Sequence, residues 1–293
     1  MSPASRVAPV PRGAWERALE VLFLLSALAA ILGLALIIVF VGMRGLPVFQ
    51  KVGLGAFLGG RQWLPTQGLF GILPLIVGSL LVTVGALALG TPLAVGTAIF
   101  LSEIASPRVS SVVRPAVELL AGIPSVIYGF FGVVLLRPVV ARVFGGLGLG
   151  LVTGWIVLAI MIVPTIAAIS QDALDSVPRG YREGSFALGG TRWQTIRRVV
   201  LPTAKIGIID AIVLGMGRAI GETMAVLMVV GNAPVIPRGI AAPFSTLTST
   251  IVMDMPYAAG QHQQALFGMG VILFVISMGL VAAIRLLSRE KRA

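Results

Sequence analysis

Two charged residues stand one helical turn apart in an apolar stretch, Arg218 and Glu222 within GRAIGETMAV at 217–226. Their flanks, IDAIVLGM before and LMVVGN after, would otherwise suit lipid. A guanidinium stays charged when desolvated and offers paired N–H donors that match an oxyanion. Each charge at a helix centre costs about 2.5–3.5 kcal/mol on an insertion scale, so the pair needs a reason. Residues i and i+4 share a helix face, and Arg218 and Glu222 are expected to pair. Three chemistries fit. The pair can be a staple locking this helix to its neighbours, a proton relay carried by Glu222, or an anion site on a polar path. The relay lacks a second core carboxylate, and the sole histidine, His262, falls in an outside loop. Thr223 beside the pair can donate to an anion or back-bond to its own helix.

The elements that must position these residues follow from composition. Of 293 residues, 57% are hydrophobic and only 11% charged, against about 25% charged in soluble domains, which excludes a water-soluble fold. The absence of cysteine excludes a disulfide scaffold or a thiolate metal site. Six segments reach the length of about 20 apolar residues that a bilayer requires. They lie near 19–43, 72–101, 117–138, 150–170, 206–230 and 265–287. The first is too long for the apolar core of a cleaved signal peptide. Arg218 falls near the middle of the fifth, close to the expected midplane.

Basic residues set the orientation. With the N-terminus inside, the outside loops hold only Arg44, Lys51, Arg61, Arg137, Arg142 and Arg238 of the 22 lysines and arginines. Both termini are therefore expected in the cytoplasm. The net charge of +11 reads as topology and contact with anionic lipid, not nucleic-acid binding.

Residues 1–18 form an expected cytoplasmic tail with a short interfacial helix at WERALE, 19–43 a peripheral span, 44–71 a periplasmic segment, 72–287 the core, and 288–293 a second tail. Trp63 and Phe70 suit the lipid–water interface. VFGGLGLG at 143–150 reads as an outside turn. The connections at 171–205 inside and 231–264 outside are long for a compact bundle. Breaks in TPLAVG, AGIPSVIYG and MIVPTIA are tolerated where neighbours or a cavity satisfy freed backbone groups. Pro124 either exposes backbone N–H groups and the Ser125 hydroxyl to a passing anion or makes a packing kink. Thr246, Thr248 and Ser249 are candidates for receiving substrate from outside. Asp210, Glu118 and His262 are assigned no specific role.

The inside loop SVPRGYREGSFALGGTRWQTIRRVVLP, 176–202, reads as helix, Gly-Gly turn, helix. Pro178 starts the first helix, Gly189 and Gly190 stop it, and Thr191 caps the second. Trp193, Ile196, Val199 and Val200 make an apolar stripe, suited to lipid headgroups or to a protein groove. The loop resembles the penultimate inside loop of bacterial ABC importer permeases, which reads EAA, three residues, G, nine residues, I, one residue, LP. Glu183, Gly189, Leu201 and Pro202 stand at that spacing, with Gly184, Ser185 and Val199 as departures. The resemblance implies a coupling element that docks on a separate ATPase. No P-loop is possible here, because the three lysines, Lys51, Lys205 and Lys291, follow Gln50, Ala204 and Glu290.

GRAIGETMAVLMVVGN, ELLAGIPSVIYGFFG and STLTSTIVMD together resemble the phosphate-specific ABC transporter permeases of PstC type, with Met224-Ala225-Val226 where the companion PstA type continues Ala-Pro. The resemblance implies an all-α polytopic membrane protein with six transmembrane helices and a type I ABC importer (MetI-like) core. It implies a PstA-like second permease, two copies of a nucleotide-binding subunit that bind ATP and Mg, and an external phosphate-binding protein. This chain would carry no cofactor and catalyse no reaction. The resemblance ties Arg218 and Glu222 to phosphate passage. Phosphate near neutral pH retains a P–OH and sulfate does not, so Glu222 is suited to accept from the first and repel the second. A molybdate or sulfate permease, or a secondary transporter or membrane sensor, remains the alternative.

Overall fold

The computed structural model describes residues 14–289; of the expected tails at 1–18 and 288–293, residues 1–13 and 290–293 lie outside the described residues. Helix α1 (Ala14–Val52) is one unbroken rod, so the expected tail is already helical from Ala14 and the first span runs past 43. Short α2 (Leu54–Gly59) follows, then a two-stranded hairpin of β1 (Trp63–Leu64) and β2 (Leu69–Phe70). Next come α3 (Leu73–Ile99), α4 (Pro107–Ala121), α5 (Ser125–Phe131), α6 (Arg137–Phe144) and α7 (Leu151–Asp175). The helical hairpin expected inside is α8 (Arg179–Ala187) and α9 (Arg192–Thr195). It leads into α10 (Leu201–Gly221), α11 (Met224–Val229), α12 (Leu247–Asp254) and α13 (Gly260–Arg289).

Six of these stretches are long and apolar enough to cross a membrane, among the described residues: Ala18–Val52, Leu73–Ile104, Ser125–Phe144, Leu151–Asp175, Arg192–Gly221 and Gly260–Leu286. Two further spans shift. The third span begins at Ser125 because Gly122, Ile123 and Pro124 interrupt the helix; Pro124 takes φ −56°, ψ 138°, extended backbone that a helix cannot continue. The residues before the break form the separate amphipathic helix α4. The fifth span begins at Arg192, inside the hairpin, and ends at Gly221 instead of running to 230.

The main core gathers α3, α5, α7, α10 and α11 around Leu158, Met161, Ile162, Ile166 and Val226, all essentially inaccessible. A second core joins α1, the β-hairpin, α12 and α13 through Val48, Phe57, Leu247 and Leu266. Most of α1 otherwise exposes its leucines and isoleucines. Trp63 and Phe70, expected at the interface, are instead buried at 4% exposure each. The Trp63 Nε1–H donates to Asp254 Oδ2 at 2.9 Å, and His262 Nε2 lies 3.3 Å from the same oxygen. A buried indole needs an acceptor, and Asp254, distant in sequence, supplies it. His262 therefore helps hold α13 to α12. The 143–150 turn forms as expected, with Gly145, Gly146 and Gly148 at positive φ.

The approach of α5 to α11 depends on Gly129. A Cβ there would fall 2.8 Å from Met228 Sδ and 3.0 Å from Ala225 Cα. Methionine can swing aside, but the α11 backbone cannot. Gly129→Val is expected to cost about 1–3 kcal/mol as an overpacked contact. Thermal unfolding of the detergent-solubilised protein checks this, as an earlier transition than wild type.

Candidate functional site

The expected Arg218–Glu222 ion pair is not formed. The helix carrying Arg218 stops at Gly221; Glu222 takes extended backbone (φ −67°, ψ 128°) and Thr223 lies at φ −115°, ψ −57° before α11 begins. This turn of backbone removes the i, i+4 relation. Arg218 occupies the last turn of α10, where a cation complements the exposed carbonyl ends. Glu222 Oε1 accepts the Ala225 N–H of α11 at 3.1 Å, so the carboxylate meets free N–H groups at a helix start. Each charge thus answers a helix end of opposite partial charge.

Other elements hold this break open. The Arg218 Nη1–H donates to Thr165 Oγ1 on α7 at 2.8 Å, the one hydrogen bond to the guanidinium among the described residues. The Glu222 carbonyl accepts from Thr248 Oγ1 of α12 at 3.0 Å. Thr223 Oγ1 turns back to the Gly221 carbonyl at 3.2 Å. Gly217 and Gly221 are exposed and face open space, so the helix face beside Arg218 is unobstructed. Ser125 starts α5 after the Pro124 break, and its hydroxyl has no partner among the described residues. The structure therefore brings Arg218, Glu222 and Thr223 around one break. No hydrogen bond links Ser125 to the other three, although α5 packs on α11.

Thr246, Thr248 and Ser249 are not a receiving surface. All three are buried, at 3%, 7% and 0% exposure. Thr246 caps α12, its hydroxyl accepting from the Ser249 N–H at 3.1 Å while Ser249 Oγ accepts from the Thr246 N–H at 3.0 Å. The reciprocal pair satisfies N–H groups at the helix start.

The α8–α9 hairpin forms as its residues direct. Pro178 precedes α8, Gly189 turns at φ +80°, and Thr191 caps α9 with Gln194 reaching back. A π-helical stretch, Ile196–Val200, joins α9 to α10 and shifts the expected stripe. Ile196 and Val200 are buried while Trp193 is exposed. Tyr181, Phe186, Leu188 and Trp193 all stand out from the hairpin, Leu188 at 92% exposure. A cleft of about 390 Å³ opens between the arms, lined by Tyr181, Leu188, Gln194 and Arg198. Glu183 is exposed on α8; Leu201, partly buried, and exposed Pro202 open α10.

Thr165 escaped the sequence reading, although MIVPTIA marks a polar residue after an intrahelical proline. Glu103 escaped it too: its partner Arg182 lies 79 residues away, a separation no local pattern announces.

Comparison with known proteins places this arrangement. The model of the binding-protein-dependent transport system inner membrane component family matches residues 90–293. A probable ABC transporter permease, YqgH, of Bacillus subtilis is 42% identical over 91% of this chain and 88% of its own length. The phosphate transport system permease protein PstC of Haemophilus influenzae is 34% identical over 90% of both chains. That of Mesorhizobium japonicum is 38% identical over 78% of this chain and 77% of its own. Among solved structures, a bacterial ABC transporter that imports the polysaccharide alginate aligns with TM-score 0.66 at 17% identity, over 94% of this chain and 98% of that one. The MetNI methionine ABC transporter aligns at TM-score 0.54 and 22% identity, over 71% and 93%. The chain belongs to the binding-protein-dependent transport permeases, a family of inner-membrane subunits that are not themselves enzymes. It is a multi-pass membrane protein with the fold of the ABC importer permeases.

Removing the Thr246 hydroxyl leaves the buried Ser249 N–H unmet. Thr246→Ala is expected to cost about 0.5–2 kcal/mol, measured as a lowered midpoint of thermal unfolding.

Proposed function

We propose that this chain is the PstC-type permease subunit of an ATP-driven phosphate importer and forms half of the translocation path. The observation that carries the reading is the Arg218 guanidinium, held by Thr165 at a helix break with most of its five N–H donors left for an oxyanion. The PstC relatives, named for phosphate transport, support the substrate. Glu222 Oε2 has no partner among the described residues and is suited to accept from a protonated phosphate oxygen. Ser125 supplies a hydroxyl donor along the same path, and Thr223 joins it when its hydroxyl releases the Gly221 carbonyl.

In this reading Glu183, Gly189, Leu201 and Pro202 frame the surface that docks on the ATPase, and the exposed Tyr181, Phe186, Leu188 and Trp193 supply its apolar contact. ATP and Mg are bound by two copies of that nucleotide-binding subunit, so this chain needs no cofactor. A PstA-like permease completes the path, and an external phosphate-binding protein delivers the anion. The chain lies in a bacterial inner membrane with both termini in the cytoplasm. The first span, Ala18–Val52, is peripheral, the segment that follows it up to residue 71 is periplasmic, and 72–287 form the permease core.

Uptake by the full complex in vesicles tests the site. Arg218→Ala is expected to abolish phosphate uptake while the subunits still co-purify; loss of assembly instead would return Arg218 to a purely architectural role. Glu222→Gln is expected to reduce the preference for phosphate over sulfate by about 10-fold or more, the worth of one charge-assisted hydrogen bond. Unchanged discrimination would remove Glu222 from substrate selection.

A further inference from the structure

A second charged cluster lies away from the helix break and has no part in the path described above. Glu103 sits in the π-helical stretch Phe100–Ile104 that ends the span of α3. Its side chain is 9% exposed, and its partner Arg182 on α8 is 19% exposed. Arg182 Nη2 donates to Glu103 Oε1 at 2.6 Å, and Nε donates to the same oxygen at 3.2 Å. The remaining donors of Arg182 reach the Leu174 carbonyl at 2.9 Å and the Val177 carbonyl, which close the end of α7. Arg192, opening the other arm of the hairpin, donates to the Glu103 backbone carbonyl. One residue thus grips both arms, α8 through its side chain and α9 through its backbone.

The joint continues one residue back. Ser102 Oγ donates to Asp175 Oδ1 at 2.6 Å, and Asp175 Oδ2 accepts from Arg114 Nη2 of α4 at 2.9 Å. Through these bonds the hairpin, the inner ends of α3 and α7, and α4 form one connected unit. Its two halves differ. Glu103–Arg182 is enclosed and multiply bonded, and so geometrically stiff. Arg114–Asp175, at 44% and 43% exposure, is a solvent-screened pair that yields easily. Helix α4 then runs into the Gly122–Pro124 break, and α5 beyond it packs on α11 beside Glu222.

We propose that Glu103 is a positioning residue that fixes the inside hairpin to the transmembrane helices as a rigid joint, so that a push on the hairpin moves the inner ends of α3 and α7 with it and is released at α4. The inference rests on the proposed docking of an ATPase on the hairpin. It assigns to an acidic residue of the α3 span the task of making that docking mechanically effective.

The test uses the complete importer in proteoliposomes with its external binding protein, reading phosphate taken up per ATP hydrolysed. Glu103→Gln keeps volume and an acceptor but loses the charge; it is expected to lower that ratio by about tenfold, within the range by which network residues alter coupling. Because this chain has no cysteine, Glu103→Cys/Arg182→Cys in cysteine-free partners can be bridged with a bifunctional thiol reagent. The unbridged double variant is expected to be uncoupled, and bridging to restore the ratio to within about twofold of wild type. A residue needed only for folding would not be rescued this way. A wild-type ratio in Glu103→Gln, or a double variant that stays uncoupled after bridging, would overturn the proposal. A wild-type complex that hydrolyses ATP without taking up phosphate would instead overturn the function it rests on.

Discussion

A guanidinium among apolar helices must be answered by negative charge, and here its own helix answers it. By ending α10 at Gly221, the chain puts Arg218 against free carbonyl ends and gives the Glu222 carboxylate the free N–H groups of α11. Such helix-end interactions are worth about 0.3–1 kcal/mol at exposed sites and up to about 2 when partly buried. A direct ion pair would have satisfied both charges and left neither for a ligand. Separating them keeps each one stable and each one available.

The rest of the fold supports that break. Thr165 of α7 fixes the guanidinium, and Thr248 of α12 fixes the Glu222 carbonyl. The Thr246–Ser249 cap starts α12, and the Trp63–Asp254–His262 contacts tie the β-hairpin and α13 to that helix. Gly129 lets α5 reach α11 closely enough to complete the wall. At the other end, the hairpin presents an apolar surface, and the Glu103–Arg182 pair fastens it to two spans. In the proposed reading charge near the bilayer is used twice, loosely where an anion is to pass and tightly where force is to be carried.

Much of this was legible in the sequence, for physical reasons that can be named. Long apolar runs must be membrane helices, because lipid satisfies no backbone group. Pro178, the Gly189–Gly190 pair and Thr191 specify the hairpin locally, each through its own backbone or hydrogen-bonding preference. The i, i+4 spacing of Arg218 and Glu222 misled, because it presumes an unbroken helix. Gly217, Gly221 and Thr223 weaken helix there, but only tertiary partners such as Thr248 and Thr165 decide that it ends. The burial of Thr246 and Trp63, and the pairing of Glu103 with Arg182, depend on contacts between distant segments. No periodicity records those.

The central claim is that the break at residues 221–223 opens onto a watery passage used by an anion. Gly221 is exposed with open space beyond it, and the chain is free of cysteine, so Gly221→Cys introduces a single reporter thiol. Its rate of reaction with a charged, membrane-impermeant thiol reagent should be measured in the assembled complex, with and without phosphate. Leu36→Cys on the exposed face of α1 serves as the lipid-facing control. The account predicts ready modification of the Gly221 thiol that phosphate slows, with the control unreactive under both conditions. A Gly221 thiol that resists the reagent throughout the transport cycle, or reacts equally fast with phosphate present, would contradict it.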